Sequence, residues 1–177
     1  MEFKYSDINS LIFNNLNDID LINLILSYKI NKVSLSYILY DLKDKIIDVS
    51  KNKEFAKKLS KLGFKVKLDL SHTQVTDGSG VRDLGNVHTL DLSHTKVTDG
   101  SGVSALGKVH TLDLSNTKVT DGSGVSALGK VHTLDLSLTQ VTDGSGVSAL
   151  GNVHTLNLSN THVTDVRALV KVHTLIR

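Results

Sequence analysis

"VHTLDLSHTKVTDGSGVSALGK", Val87 to Lys108, returns almost letter for letter at Val109 to Lys130, at Val131 to Asn152 and again from Val153, a period of 22 residues. An earlier copy is less regular. Leu68-Asp69-Leu70-Ser71 aligns with Leu90-Asp91-Leu92-Ser93, while Leu59, Leu62 and Gly63 fall in register with Val81, Leu84 and Gly85. Of the five copies, the last loses its Gly-Ser-Gly, reads Val163-Thr164-Asp165-Val166, and reaches Val172-His173-Thr174-Leu175 after 19 residues. Self-similarity at so short a period marks a stacked array, in which each unit buries its apolar face against its neighbours. Period-two alternation over Leu112-Asp113-Leu114-Ser115 predicts a short strand with its leucines inward.

The apolar letters of one copy read V-x-x-L-x-L-x-x-T-x-V, as at Val109, Leu112, Leu114, Thr117 and Val119. This resembles a leucine-rich repeat, L-x-x-L-x-L-x-x-N-x-L, with Thr73, Thr95, Thr117, Thr139 and Thr161 where the family carries Asn. The resemblance implies an α/β leucine-rich-repeat solenoid, with short parallel strands on the concave face and a turn or short helix on the convex side. A threonine hydroxyl has fewer hydrogen-bonding groups than an amide, so the ladder after each strand is expected to be weaker.

Within the same stretch, Gly102 to Lys108 and Gly124 to Lys130 fit all but the last letter of a phosphate loop, G-x-x-x-x-G-K-[ST]. Val109 and Val131 stand where magnesium needs a hydroxyl. The order of elements is also reversed, because a phosphate loop follows a strand and opens a helix with its Gly-Lys, whereas here Gly107-Lys108 leads back into a strand. We therefore expect Asp99-Gly100-Ser101-Gly102 to be a turn, Val103 to Leu106 a short helical or irregular segment on the convex side, and no nucleotide to bind.

Composition divides the 177 residues near residue 65. All four Phe and all four Tyr precede it; twelve of the thirteen Gly and all eight His follow. The expected organisation is a helical head or cap over residues 1–65 and repeats over 66–177. The net charge of +2 separates into +3 and −1 across that boundary, and the repeats carry no aromatic ring except histidine, so no nucleic-acid partner is expected. Lys51, Lys53, Lys57, Lys58, Lys61 and Lys65 surround Glu54 on a predicted helix and read as its solvated face. With no Cys there is neither a disulfide nor thiol chemistry. No signal-like or membrane-length apolar run is visible, which gives the expectation of an intracellular, cytoplasmic protein without membrane contact.

In the head, helical spacing joins Ile8, Leu11, Ile12 and Leu16, and a second helix runs through Leu21, Leu24 and Ile25. A third helix is predicted from Ser34 to Val49 and a fourth from Glu54 to Leu62, stopped by Gly63 in a left-handed conformation. These helices serve as a solenoid cap on one reading. The letters Asp7-Ile8, Leu11-Ile12-Phe13, Leu16, Asp20-Leu21 and Leu24 also resemble the start of an F-box. An Asn-, Ile- and Lys-rich head on near-identical repeats is similar to F-box/leucine-rich-repeat proteins of giant DNA viruses of amoebae, for which the compartment is the host cytoplasm. That resemblance implies a substrate adaptor of a ubiquitin ligase, binding a Skp-type subunit through residues 6–28 with Ile8, Leu11, Ile12, Leu16, Leu21 and Leu24.

Stacked strands place equivalent residues in columns roughly 5 Å apart. One outward column is acidic, Asp69, Asp91, Asp113 and Asp135, then Asn157; another is His88, His110, His132, His154 and His173. The acidic column suits a basic peptide or a cation, or is simply solvated. No Cys or convergent carboxylate completes a metal shell around the histidines, and no cofactor is expected. Ser, His and Asp recur only because the repeat does, so no copy offers the unique activated pair of a catalyst, and the chain is not read as an enzyme. Copies differ mainly at His72, His94, Asn116, Leu138 and Asn160, and at Gln74, Lys96, Lys118, Gln140 and His162. These are the expected partner-facing positions of a protein-interaction module, together with Asp91, Asp113 and Asp135; the alternative is a structural or decoy repeat protein. Val172, Leu175 and Ile176 are expected to complete a last strand whose free edge invites end-to-end association.

Overall fold

A computed structural model of the protein describes residues 45–76, 80–98, 102–120 and 123–177. Among these, seven short strands form one parallel sheet in chain order: β1 (Ile46–Asp48), β2 (Lys65–Asp69), β3 (Thr89–Asp91), β4 (Thr111–Asp113), β5 (Thr133–Asp135), β6 (Thr155–Asn157) and β7 (Thr174–Ile176). From β2 to β6 the paired residues are 22 apart, as Leu90 opposite Leu112. At both ends the step shortens to 19, Ile46 facing Lys65 and Thr155 facing Thr174. Each crossing carries a short convex segment. In the middle these are the 3-10 turns Val81–Leu84 and Val103–Leu106, then α2 (Ser123–Ser126) and α3 (Ser145–Ser148). In the first crossing the segment is a longer helix, α1 (Lys53–Lys61). This is a leucine-rich-repeat solenoid, as the letters predict.

Alternation does the work inside each strand. Leu112 is buried between the half-buried Thr111 and Asp113, and Leu114 follows it into the core. Val125 and Leu128 of the same copy enter the core from the convex side, so each repeat supplies both walls of the core it shares with its neighbours. The glycine that suggested a phosphate loop has its cause here. A Cβ on Gly107 would lie 2.3 Å from the Ala127 carbonyl oxygen, and Gly85 and Gly129 stand equally close to Ala105 and Ala149. Consecutive repeats stack only where no side chain separates them.

The threonine column is buried and bonded. Thr95, Thr117 and Thr139 each donate their hydroxyl to the carbonyl three residues back, on Leu92, Leu114 and Leu136, at 2.5–2.6 Å. Each hydroxyl thus serves its own turn, and contact between repeats rests on backbone bonds such as Leu92 N to Asp113 O at 2.9 Å.

The helix predicted from Ser34 to Val49 is corrected at its described end, where Ile46–Asp48 is strand β1. Ile47 and Val49 enter the core while Ile46 and Asp48 face out, a period of two that the apolar run hid. The helix expected from Glu54 to Leu62 is present as α1. Asn52 caps it by accepting from Phe55 N at 3.1 Å, and Gly63 ends it at φ 89°. The F-box-like residues Ile8, Leu11, Ile12, Leu16, Leu21 and Leu24 lie outside the described residues, as does the turn at Asp99 to Ser101. Of the residues expected in the last strand, Leu175 lies in β7 and packs against the core, Val172 packs against the core but precedes the strand, and Ile176 takes the outward position opposite Asn157 and is 45% exposed.

Candidate functional site

Strands β1 to β5 each end on an aspartate whose reason is local. Asp69, Asp91, Asp113 and Asp135 accept the backbone N–H two residues on, from Ser71, Ser93, Ser115 and Ser137, all at 2.8 Å. Such Asx turns reverse the chain out of the strand. Asn157 does the same for Ser159 at 3.0 Å and donates its amide to Asp135 Oδ2 at 2.8 Å. The acidic column is therefore first a row of turn caps. Its electrostatics vary along the row. The hydroxyl and amide of Ser71 hold the Asp69 carboxyl below its ordinary value, helped by Lys51 and Lys67. Burial pushes the Asp113 carboxyl up; the Ser115 bonds oppose this, and the charges of Asp135 and Asp91 add to it.

One residue beyond each serine the backbone turns left-handed. His72, His94, Asn116, Leu138 and Asn160 all have φ between 51° and 57°, and all five side chains are exposed. Histidine and asparagine tolerate that region; leucine pays for it in Cβ crowding. Next to them, Lys96, Lys118, Gln140 and His162 donate their N–H groups to Val75, Val97, Val119 and Val141, which ties the second variable column into the same ridge. His72 and His94 stack with ring centroids 4.2 Å apart, and Asn116 Nδ2 lies 2.7 Å from His94 Nδ1. The structure thus brings His72, His94, Asn116, Leu138, Asn160, Lys96 and Lys118 into one exposed ridge beside Asp91, Asp113 and Asp135. The left-handed turn itself was not read from the sequence, although His and Asn at that letter signal it.

At the other end of each strand the second column also stacks. His88, His110, His132 and His154 follow one another at 4.5–4.7 Å with their planes within 11°, and His173 tilts by 54°. Burial lowers the basicity of His88 and His154, and the neighbouring imidazoles add to it, with Lys65 acting on His88 as well. Parallel rings present parallel lone pairs. Among the described residues no group of three or more His, Asp or Glu is arranged to hold a metal ion, and no helix is long and apolar enough to cross a membrane.

No protein-family model matches the sequence, and none of the curated proteins does. Solved structures do. Internalin C2 of Listeria monocytogenes is 25% identical, with a TM-score of 0.53 over 71% of this chain and 55% of that one. The functional domain of InlJ from the same organism, which includes a cysteine ladder, is 19% identical, with a TM-score of 0.52 over 74% of this chain and 29% of that one. The likeness is one of fold: the chain has the leucine-rich-repeat solenoid architecture of these structures. It spans about half the length of the first of these structures and less of the other. In place of a cysteine ladder it stacks threonine, aspartate and histidine columns.

Proposed function

We propose that the protein is an interaction module that binds another protein across the ridge of His72, His94, Asn116, Leu138 and Asn160 and the adjoining acidic column. The carrying observation is where the copies differ. Core letters and stacking glycines repeat, whereas two of the variable letters fall side by side on one exposed surface. Leu138 is 52% exposed on that surface in a conformation unfavourable to leucine, which suits an apolar anchor. With no Trp or Tyr there, affinity should be modest unless the partner supplies the aromatic groups. The test exchanges Asn116 and Leu138: captured proteins should change while circular dichroism stays that of the parent. Unchanged capture would remove this ridge from the interface.

Within this reading, residues 6–28 carry the finer role of an F-box-like adaptor in the host or cell cytoplasm, with Ile8, Leu11, Ile12, Leu16, Leu21 and Leu24 on a Skp-type subunit. The support is the sequence pattern alone. Co-elution with a Skp-type protein, lost in Leu11→Asp with Ile12→Asp while the repeats stay folded, is the expected result; no co-elution leaves those residues to a cap. A second reading concerns the other end. Val170 is 81% exposed and Ile176 45% exposed beside β7, a surface suited to end-to-end association of this chain. Light scattering should show mass rising with concentration, and Val170→Lys with Ile176→Lys should abolish the rise.

A further inference from the structure

The entry edge of the strands, opposite the variable ridge, carries its own chemistry. A groove of about 540 Å3 lies between α1 and the first convex turns, lined by Lys58, Lys61, Arg82 and Lys108 together with Glu54 and Asp83. The two acids are already engaged: Lys57 lies 3.3 Å from Glu54 and 2.9 Å from Asp83. The groove therefore presents a surplus of positive charge. It continues across Asn86 and Lys108 into a second groove of about 280 Å3 lined by Lys65, His88 and His110. From there the histidine stack runs on along the edge, with Lys130 and Lys171 two letters before His132 and His173 as Lys108 is before His110.

The stack is oriented. Nδ1 of His88, His110, His132 and His154 lies 3.1–3.3 Å from the hydroxyl of the following threonine, so the Nε2 atoms project in one direction at the spacing of the rings. We propose that this edge, from Lys58 and Lys61 through Lys108 and Lys130 along the histidines, is a second binding surface, for an extended acidic peptide that it grips more tightly as pH falls.

Charge complementarity sets the partner's sign, and the ring geometry chooses peptide over nucleic acid. Bases bind single-stranded sites by stacking on exposed aromatic faces. Here the imidazole faces are covered by one another at 4.5–4.7 Å, and Phe64 is buried. Carboxylates instead need N–H donors in a row, which protonated Nε2 atoms and lysine ammonium groups supply. The direction of the pH effect follows from the neighbours. His88 faces Lys65, Lys108 and His110; His110 faces Lys108, His88 and His132; His132 faces His110 and His154; His154 faces His132 and His173. All are cations or imidazoles; at His88 and His154 the neighbouring imidazoles, and at His88 also Lys65, disfavour the proton. A row of bound carboxylates offsets that repulsion and favours the charged imidazoles, so binding takes up protons.

The experiment is fluorescence anisotropy of a labelled oligo-glutamate peptide with the full chain at fixed ionic strength, at about pH 6 and about pH 7.5, where glutamate stays ionised. Binding should be about tenfold tighter at the lower pH. His110→Gln with His132→Gln should cut that ratio below about twofold. If that pair disturbs folding, His154→Gln alone reports the same sign. Lys108→Gln with Lys130→Gln should weaken binding at both pH values. The Asn116 and Leu138 exchange should leave the peptide bound as before, which separates this surface from the ridge. Equal affinity at both pH values, a pH ratio that survives the histidine substitutions, or tighter binding of oligo-thymidylate would each overturn the proposal.

Discussion

The two ends of the sheet shorten the repeat by the same three residues and hold together by different means. At the first, α1 replaces the convex turn, and Ile47, Val49, Ala56 and Leu59 enter the core. Asn52 caps the helix, and Lys67 reaches Asp48 at 3.0 Å. At the last, only Leu169 is fully buried beyond residue 163, and the turn depends on polar contacts at the surface. Asp143 accepts the amides of Thr164 and Asp165 at 2.6 and 2.7 Å, and Asp165 pairs with Arg167 at 2.6 Å. Apolar burial is insensitive to salt and pH, whereas exposed polar contacts, on which the last end depends more heavily, are screened by one and titrated by the other. Stability should therefore fall along the solenoid toward β7.

Substituting the stacking glycines tests this gradient most severely. Gly107→Ala forces a methyl to 2.3 Å from Ala127 O with ordered repeats on both sides, and should cost about 3 kcal/mol or more in urea unfolding. Gly151→Ala meets Ala168 O at 2.5 Å, but the last turn can yield, so about 1 kcal/mol is expected. Equal costs would mean that both places are held with the same stiffness.

A milder version uses the threonine column. Thr117→Val keeps the shape and strands the buried Leu114 carbonyl, for about 1–2 kcal/mol, whereas Thr161→Val, at the half-buried end, should cost about half of that. Leu138→Asn runs the other way. Relief of the left-handed strain should stabilise the chain by about 1 kcal/mol while weakening the partner's hold on the ridge.

Acid gives the smallest effect, and one of opposite sign at the last turn and in the middle of the sheet. The Asp165 carboxyl is held down to about 2, first by the side chain of Arg167 and then by its amide. Its stabilisation is present above the ordinary carboxylate value and is lost as pH falls toward that lower one. Asp143 is lowered too, by the Thr164 hydroxyl first and then by the Asp165 and Thr164 amides. Asp113 is raised, so its folded form favours the proton; that advantage is full below the ordinary value and disappears as pH rises through the folded one. Asp113→Asn should therefore raise Tm at neutral pH by about 1–3 °C and confer nothing in acid. On acidification the amide resonances around Asp113 should shift before those of Thr164 and Asp165, because the raised carboxyl takes its proton first. Simultaneous change would break the comparison.

Much of this was legible before any coordinates. The repeat placed Leu90, Leu112 and Leu134 in the core because a strand's period of two is written directly into L-D-L-S. Gly63 announced the end of α1 because few other residues take that conformation. Strand β1 was missed since Ile46-Ile47-Asp48-Val49-Ser50 follows a long apolar stretch that reads equally as helix. Its echo of L-D-L-S was the available signal, and Ser50 N does bond Asp48 Oδ1 at 2.8 Å. The aspartates were read as a charged surface because a sequence shows charge but not the backbone N–H each caps. The basic grooves were out of reach for another reason: α1 and the convex turns meet through residues some 20 to 50 positions apart, and only folding sets them against one another.

The uniform step from β2 to β6 has a consequence for how such a chain can change length. Leu92 N bonds Asp113 O, Leu114 N bonds Asp135 O and Leu136 N bonds Asn157 O, all at 2.9 Å, so every internal junction is interchangeable with the next. Excising residues 109–130 would join Lys108 to Val131, a junction already written at Lys130-Val131, and the sheet would close over the gap with one rung fewer. Reach is thus a modular quantity here. A whole copy can be gained or lost by recombination between look-alike neighbours, extending or trimming both long edges in steps of about 5 Å while the specialised ends remain untouched.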